Sequence, residues 1–264
     1  MKEILKPKGL HELFSVQGKN VLVTGSGGLG STIALAFAKS GARVFVADCL
    51  ENKLQEVQDA AEKGNLQICT LSMDVSDKAS VEDCFKTLLE KAKSLDVVVH
   101  TAGMGKNEAA TECEEADIRR VLDVNLVGTI LVNQQAARIM KAQGYGKIVN
   151  LGSIAGFMAH TLRSMPYAAS KAGVHQVTRS FAAEMAPYGV NVNCVAPTWI
   201  NTPLIARKDE AYYENIRKSV PFQRMGEPEE ILGAVFFLST DASHFVTGQV
   251  LLVDGGWSVT KAFA

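Results

Sequence analysis

The chain has 264 residues, 47% of them hydrophobic and 21% charged, with a formal net charge of -1. That is enough apolar material for a sizeable core, and the near-neutral charge excludes a general electrostatic pull toward nucleic acid or anionic membrane. Five cysteines lie far apart with no C-x-x-C pair, which argues against a disulfide framework or a zinc cage and for reduced thiols in a cytoplasmic protein.

The opening residues 1–17 carry early lysines but are interrupted by Pro7, Gly9 and His11, without the apolar block of a signal peptide. They read as a loosely attached arm. From residue 18 the chain alternates strand and helix signals. VLVTG (21–25) is a short apolar run ending in glycines, followed by an apolar helix through Ile33, Leu35 and Phe37 and closed by Gly41. ARVFVAD (42–48) is a second strand, then a polar helix spans about 53–63. LQICTLSMD (66–74) is a third strand, with a helix over 78–93, and DVVVH (96–100) a fourth.

A single long helix is expected over about 114–143, then the strand KIVNLGS (147–153). A helix over 167–188 leads to NVNCVAP (191–197). A polar segment with aromatics and a helix near 228–239 precede QVLLVDGG (249–256). Apolar runs of this kind are buried on both faces, which requires parallel neighbours joined by crossover helices. The expectation is one α/β domain over 18–264, a Rossmann-type doubly wound parallel sheet of seven strands. The longest apolar run, near 234–238, is too short to span a membrane.

Gly25, Gly27 and Gly30 form G-x-G-x-x-G between the first strand and its helix, with Gly28 and Leu29 inside the motif. Glycines there let the backbone turn sharply and let a pyrophosphate approach the helix N-terminus. The competing reading is a plain glycine turn. Asp48 ends the second strand, where a carboxylate can accept hydrogen bonds from the adenosine ribose hydroxyls. A 2'-phosphate would meet like charge, and Cys49, not an arginine, follows, so NAD is expected over NADP. Asp74 and Val75, after the third strand, would border adenine, although Asp74 could equally be a turn residue.

Tyr167 and Lys171 lie four residues apart, on one helix face. An ammonium about 4 Å from a phenol supplies roughly the 3–4 kcal/mol that lowers its pKa from ~10 toward neutrality. Lys171 is therefore expected to tune Tyr167 as an acid–base group. With Ser153 in NLGSIAG and Asn125 in DVNLVG, the chain from about residue 18 to 257 resembles the short-chain dehydrogenase/reductase family. The resemblance implies that Tyr167 exchanges the proton and that Lys171 also holds the nicotinamide ribose. Ser153 would bind the reacting oxygen, and Asn125 would anchor a water-linked relay. Ala102 and Gly103 match the family's cofactor-flanking turn. Pro197, Ile200 and Thr202 resemble the segment that fixes the nicotinamide carboxamide.

Four departures from the family pattern stand out. The glycine loop is one residue shorter than T-G-x-x-x-G-x-G, and His100-Thr101 replace two asparagines. Thr198 replaces a glycine, and Ser153 and Tyr167 are one residue further apart than is typical. His100 reads as a structural strand-end histidine, not a second acid–base. Residues 199–222, with Leu204, Ile205, Tyr212, Tyr213 and Phe222, resemble the family's variable substrate lid. Phe157, Met158, His160, Leu162, Arg163 and Met165 would line one wall.

The opening HELFSVQGKNVLVTG resembles gluconate 5-dehydrogenases and related sugar-acid and polyol dehydrogenases. The implied activity is NAD-dependent interconversion of a secondary alcohol and a ketone on a sugar, sugar acid or polyol. Alternatives are a 3-oxoacyl or hydroxysteroid reductase and a dinucleotide-sensing regulator without catalysis. The family resemblance also implies a homotetramer, and no metal site is expected.

Overall fold

In the computed structural model, residues 8–158, 164–202 and 210–260 are described. Seven strands form one sheet: β1 (Asn20–Thr24), β2 (Arg43–Asp48), β3 (Ile68–Ser72), β4 (Val97–His100), β5 (Gly146–Leu151), β6 (Val190–Pro197) and β7 (Val250–Val253). Their spatial order is β3-β2-β1-β4-β5-β6-β7, and every neighbouring pair is parallel. The expected doubly wound sheet is therefore present. The order reverses between β1 and β4, which opens a crevice at the C-terminal ends of those strands.

Alternate side chains of each strand feed two separate cores. Val21, Val23, Val44, Val46, Val97 and Val99 pack on one face. There they meet Ile33 and Phe37 of α2 (Leu29–Lys39), Leu54 and Val57 of α3 (Glu51–Lys63), and Val235 and Leu238 of α9 (Leu232–Ser239). On the other face Leu22, Phe45, Val98 and Ile148 meet Val81, Phe85 and Leu88 of α4 (Lys78–Ala92). Val132 and Met140 of α6 (Gly128–Gln143) and Ala182 of α7 (Met165–Met185) complete that layer. The central residues of β1 (Val21, Leu22, Val23) and β4 (Val97, Val98, Val99) are thus apolar on both faces, as strands covered on both faces must be.

The structure differs from the sequence reading in three places. The long helix is interrupted: α5 (Glu115–Leu122) passes into a π-helical turn, Asp123–Val127, before α6 begins. Helix α8 (Glu210–Ser219) occupies part of the segment that reads as polar with aromatics and to which the sequence assigns no element. Within the expected arm, a short helix α1 (Leu10–Leu13) is followed by the buried Val16, and Lys8 pairs with Asp241 at 3.0 Å.

Lys147, at the end of β5 far from the crevice, is fully buried and donates to Asn191 Oδ1 at 2.7 Å. Burial lowers its pKa from 10.5 to about 8. Between those values the unfolded chain holds the proton that the folded chain has released, so this residue's contribution to stability rises with pH. Comparing the native chain with Lys147→Met, the difference in unfolding free energy (native minus variant) is expected to rise by about 1–3 kcal/mol between pH 7.5 and 10.5. Parallel pH dependences of the two denaturation midpoints would contradict this.

Candidate active site

Each glycine of the first loop has a distinct steric duty. Gly25 sits at φ +85°, and a methyl on it would lie 2.8 Å from the Ala102 nitrogen, so the loop rests on the turn after β4. Gly28 precedes α2 with φ +40°. A methyl on Gly30 would lie 1.9 Å from the Gly25 carbonyl oxygen, so α2 leaves the loop at backbone contact. A methyl on Gly27 would meet nothing within 4 Å, placing that residue against open space at the head of α2. Leu29 opens the helix, in whose first turn the Gly30 N–H donates back to the Gly27 carbonyl at 2.8 Å. The one-residue deletion therefore preserves a tight turn and a helix N-terminus suited to a pyrophosphate.

Asp48 lies at the tip of β2. Its Oδ2 accepts from the Ser26 backbone N–H (2.7 Å) and hydroxyl (2.8 Å), and its Oδ1 accepts from the Leu50 N–H (2.9 Å). The carboxylate thus braces the glycine loop and keeps lone pairs for further donors. Asp74 lies two residues beyond β3, where its Oδ1 accepts from the Ser76 N–H (2.9 Å) and hydroxyl (2.6 Å), the local turn role. Desolvation and then the charges of Asp48 and Asp74 push the Cys49 thiol up, so both carboxylates lie close to that residue. Val75 is buried and packs on α6, where a methyl on Gly128 would come within 2.9 Å of its Cγ2.

On the chemical side, the π-helical turn presents Asn125, which is buried. Its Oδ1 accepts from the Met104 N–H and its Nδ2 donates to the Met104 carbonyl, both at 2.8 Å, clamping the turn after β4. Nδ2 also donates to Ser170 Oγ at 3.0 Å, and Ser170 donates to the Tyr167 carbonyl at 2.7 Å. Thr129 Oγ1 donates to the Asn125 carbonyl at 2.6 Å, which ties that oxygen to the first turn of α6. Gly103 is held by close approach: a methyl there would lie 3.2 Å from Asn125 Oδ1 and 3.6 Å from Lys171 Nζ.

Helix α7 begins with Pro166 in its first turn and carries Tyr167 and Lys171 one turn apart. Lys171 Nζ donates to the Leu151 carbonyl at 2.6 Å and lies 5.7 Å from the Tyr167 ring centroid. Ser153 lies two residues after β5; its Oγ accepts from the Ala155 N–H at 3.2 Å, and its hydroxyl is near enough to oppose the upward shift of the Tyr167 phenol. Ser153, Tyr167, Lys171 and Asn125 thus come together at the C-terminal edge of β4 and β5.

The electrostatics correct one expectation. Burial raises the Tyr167 phenol above its ordinary value, and the opposing influence is the Ser153 hydrogen bond, not Lys171. The lysine is instead desolvated and lowered to about 8. Its ammonium donates to a backbone carbonyl, and desolvation of the phenol outweighs what its neighbours return.

His100 is structural, as expected. Its Nδ1 lies 2.7 Å from Thr24 Oγ1, and burial and the Lys171 charge lower its pKa to about 3. Thr101 Oγ1 donates to the Thr24 and Gly25 carbonyls at 2.7 and 3.2 Å. These two residues, standing where the family has two asparagines, tie β4 to β1.

Pro197 ends β6, and Ile200 is buried and bridges to Gly226. Thr198 Oγ1 is buried without a hydrogen-bond partner among the described residues, a polar group on the segment expected to face a carboxamide. Thr202 is half-buried at the edge of the described residues. Phe157 and Met165 are exposed at the mouth, and Tyr212 of α8 meets Trp199 edge-on with ring centroids 6.2 Å apart. His160, Leu162, Arg163, Leu204 and Ile205 lie outside the described residues. The sequence reading missed Ser26, Met104 and Ser170 as supports. Ser26 lies inside the glycine motif and Ser170 three residues after Tyr167, so spacing alone could have nominated both.

The glycine cradle, the acidic strand tip and the orphaned Thr198 hydroxyl fit a nicotinamide dinucleotide. The model of a family described as enoyl-(acyl carrier protein) reductase matches residues 23–258. The chain is 37% identical over 253 residues to 2-dehydro-3-deoxy-D-gluconate 5-dehydrogenase of Bacillus subtilis, covering 94% of this chain and 98% of that protein. It is 34% identical to a 3-oxoacyl-(acyl-carrier-protein) reductase of Thermotoga maritima, covering 91% and 98%. A solved gluconate 5-dehydrogenase from Burkholderia cenocepacia, in complex with NADP and tartrate, superimposes with a TM-score of 0.88 at 33% identity, covering 94% and 98%. With the sheet order, the dinucleotide cradle and these near-full-length matches in agreement, the chain belongs to the short-chain dehydrogenase/reductase family.

Proposed function

We propose that the protein is an NAD(H)-dependent oxidoreductase that interconverts a secondary alcohol and a ketone on a sugar acid or related polyol. The observation that carries the reaction class is the convergence of Ser153, Tyr167 and Lys171 beside the glycine cradle. When bound, the nicotinamide supplies or takes the hydride. Gly25, Gly27, Gly28, Leu29 and Gly30 receive the pyrophosphate, Asp48 the adenosine ribose, and Asp74 and Val75 the adenine edge. Ala102, Gly103, Pro197, Ile200 and Thr202 flank the nicotinamide, with Lys171 at its ribose. Ser153 donates to the reacting oxygen, and Tyr167 Oη exchanges the proton with it. Lys171 holds positive charge at the inner end of the site, and Asn125 fixes the turn that walls it.

NAD is favoured by Asp48, whose carboxylate would oppose a 2'-phosphate, and by Cys49 and Leu50 in place of basic residues after it. The sugar-acid substrate class is supported by the Bacillus relative and the Burkholderia structure. The second reading, reduction of a 3-oxoacyl thioester, is favoured by the Thermotoga relative. Assembly as a homotetramer is supported by the exposed Phe245, Leu251 and Val259 around β7. Five free cysteines accord with a cytoplasmic setting. No helix among the described residues is long and apolar enough to cross a membrane.

The test is kcat/KM for gluconate, keto-gluconates, polyols and acetoacetyl-CoA, each with both dinucleotides. The expected result is a keto-gluconate or gluconate preferred, with NAD(H) favoured about 10-fold or more. Preference for acetoacetyl-CoA would favour the second reading, and preference for NADP(H) would overturn the cofactor assignment.

A further inference from the structure

We infer that His175 is a positioning residue for Ser153, holding the serine loop so that its hydroxyl meets Tyr167. The inference rests on the role of Ser153 proposed above and assigns a further residue to the same site. His175 lies one turn after Lys171 on α7 and is 2% exposed. Its ring touches both glycines that bracket Ser153. A methyl on Gly152 would lie 2.5 Å from His175 Nε2 and 2.6 Å from Cys194 Sγ. On Gly156 it would lie 2.5 Å from His175 Cε1 and 2.8 Å from the Lys171 backbone carbon. The loop from 152 to 156 can therefore lie flat on α7 because its ends lack side chains, and one imidazole fills the space beneath both ends.

Phe157 closes the far side, its ring centroid 4.5 Å from that of His175. Within the loop, the Ile154–Gly156 turn is a single 3-10 turn capped by Ser153 itself. Such a short turn has little rigidity of its own, so the packing beneath it sets where the hydroxyl points. His175 Nε2 is buried without a hydrogen-bond partner among the described residues, an arrangement that stability alone would not select over an apolar ring of similar size. Burial and the Lys171 and Arg179 charges lower its pKa to about 4, so the ring is a neutral wedge at working pH.

A double-mutant cycle tests the inference: His175→Leu, Ser153→Ala and their combination, read as kcat and KM in the preferred reaction and as NADH affinity by fluorescence. His175→Leu is expected to lower kcat about 10-fold while NADH affinity stays within about twofold. In the Ser153→Ala background the same change should alter kcat by less than about twofold, because the group it positions is gone. His175→Gln, which keeps volume and a polar end, should recover part of the loss, and it replaces leucine in the cycle if the leucine variant does not fold. Native kcat in His175→Leu, or effects that multiply in the double variant, would overturn the inference. If Ser153→Ala alone keeps native turnover, the proposed role of Ser153 is wrong, and the inference fails with it.

Discussion

Replacing Tyr167 with phenylalanine is expected to lower kcat by about 10²–10⁴-fold, the contribution of a positioned acid–base group, while NADH affinity stays within about twofold. The phenol ring packs at the mouth of the crevice, where a methyl on Gly105 would lie 4.0 Å from its Cδ2, so the ring's shape survives in phenylalanine. What is lost is the Oη whose ionisation Ser153 favours and that would exchange the proton. Fluorescence titration with NADH alongside turnover separates the two effects. Native turnover in this variant would remove Tyr167 from the mechanism. Loss of NADH binding would make it a cofactor-holding residue instead.

The second large effect is at the glycine loop. Gly30→Ala places a methyl 1.9 Å from a carbonyl oxygen of the same loop, and backbone cannot swing aside as a side chain can. The expected cost is about 1–3 kcal/mol of stability, with NADH affinity reduced by more than about 10-fold as the helix N-terminus shifts from the turn. Gly27→Ala separates the two causes, since its methyl enters open space. That variant should unfold within about 0.5 kcal/mol of the native chain and still bind NADH more weakly, because its methyl would enter the side proposed to receive the pyrophosphate. Equal NADH affinity in Gly27→Ala and the native chain would place the dinucleotide elsewhere.

Much of this architecture was legible in the residues because both cores are built from period-two apolar strands and amphipathic helices. Val21 and Leu22 go to opposite faces, as alternation dictates. The π-helical turn at 123–127 was not legible, because it depends on a tertiary bond: Asn125 reaches across to Met104, and no local pattern encodes that. Helix α8 was missed because its face carries tyrosines, Glu and Arg in place of an apolar stripe, with Ile216 its buried residue. Among the site residues, the glycines and the Tyr167/Lys171 pair announce themselves by spacing. The double use of Asp48, bracing Ser26 as well as facing the crevice, needed coordinates. So did the sign of the Tyr167 shift, since a simple charge-pair estimate omits the desolvation that decides it.

The most direct measurement is the pH dependence of kcat/KM in both directions for the preferred substrate. A phenol raised by burial must be ionised before it can accept a proton from an alcohol and protonated before it can donate one to a ketone. The account predicts that oxidation climbs with pH through the alkaline range while reduction falls, the two limbs crossing, and that Ser153→Ala moves both limbs to higher pH. Profiles flat from pH 6 to 10 in both directions would contradict it.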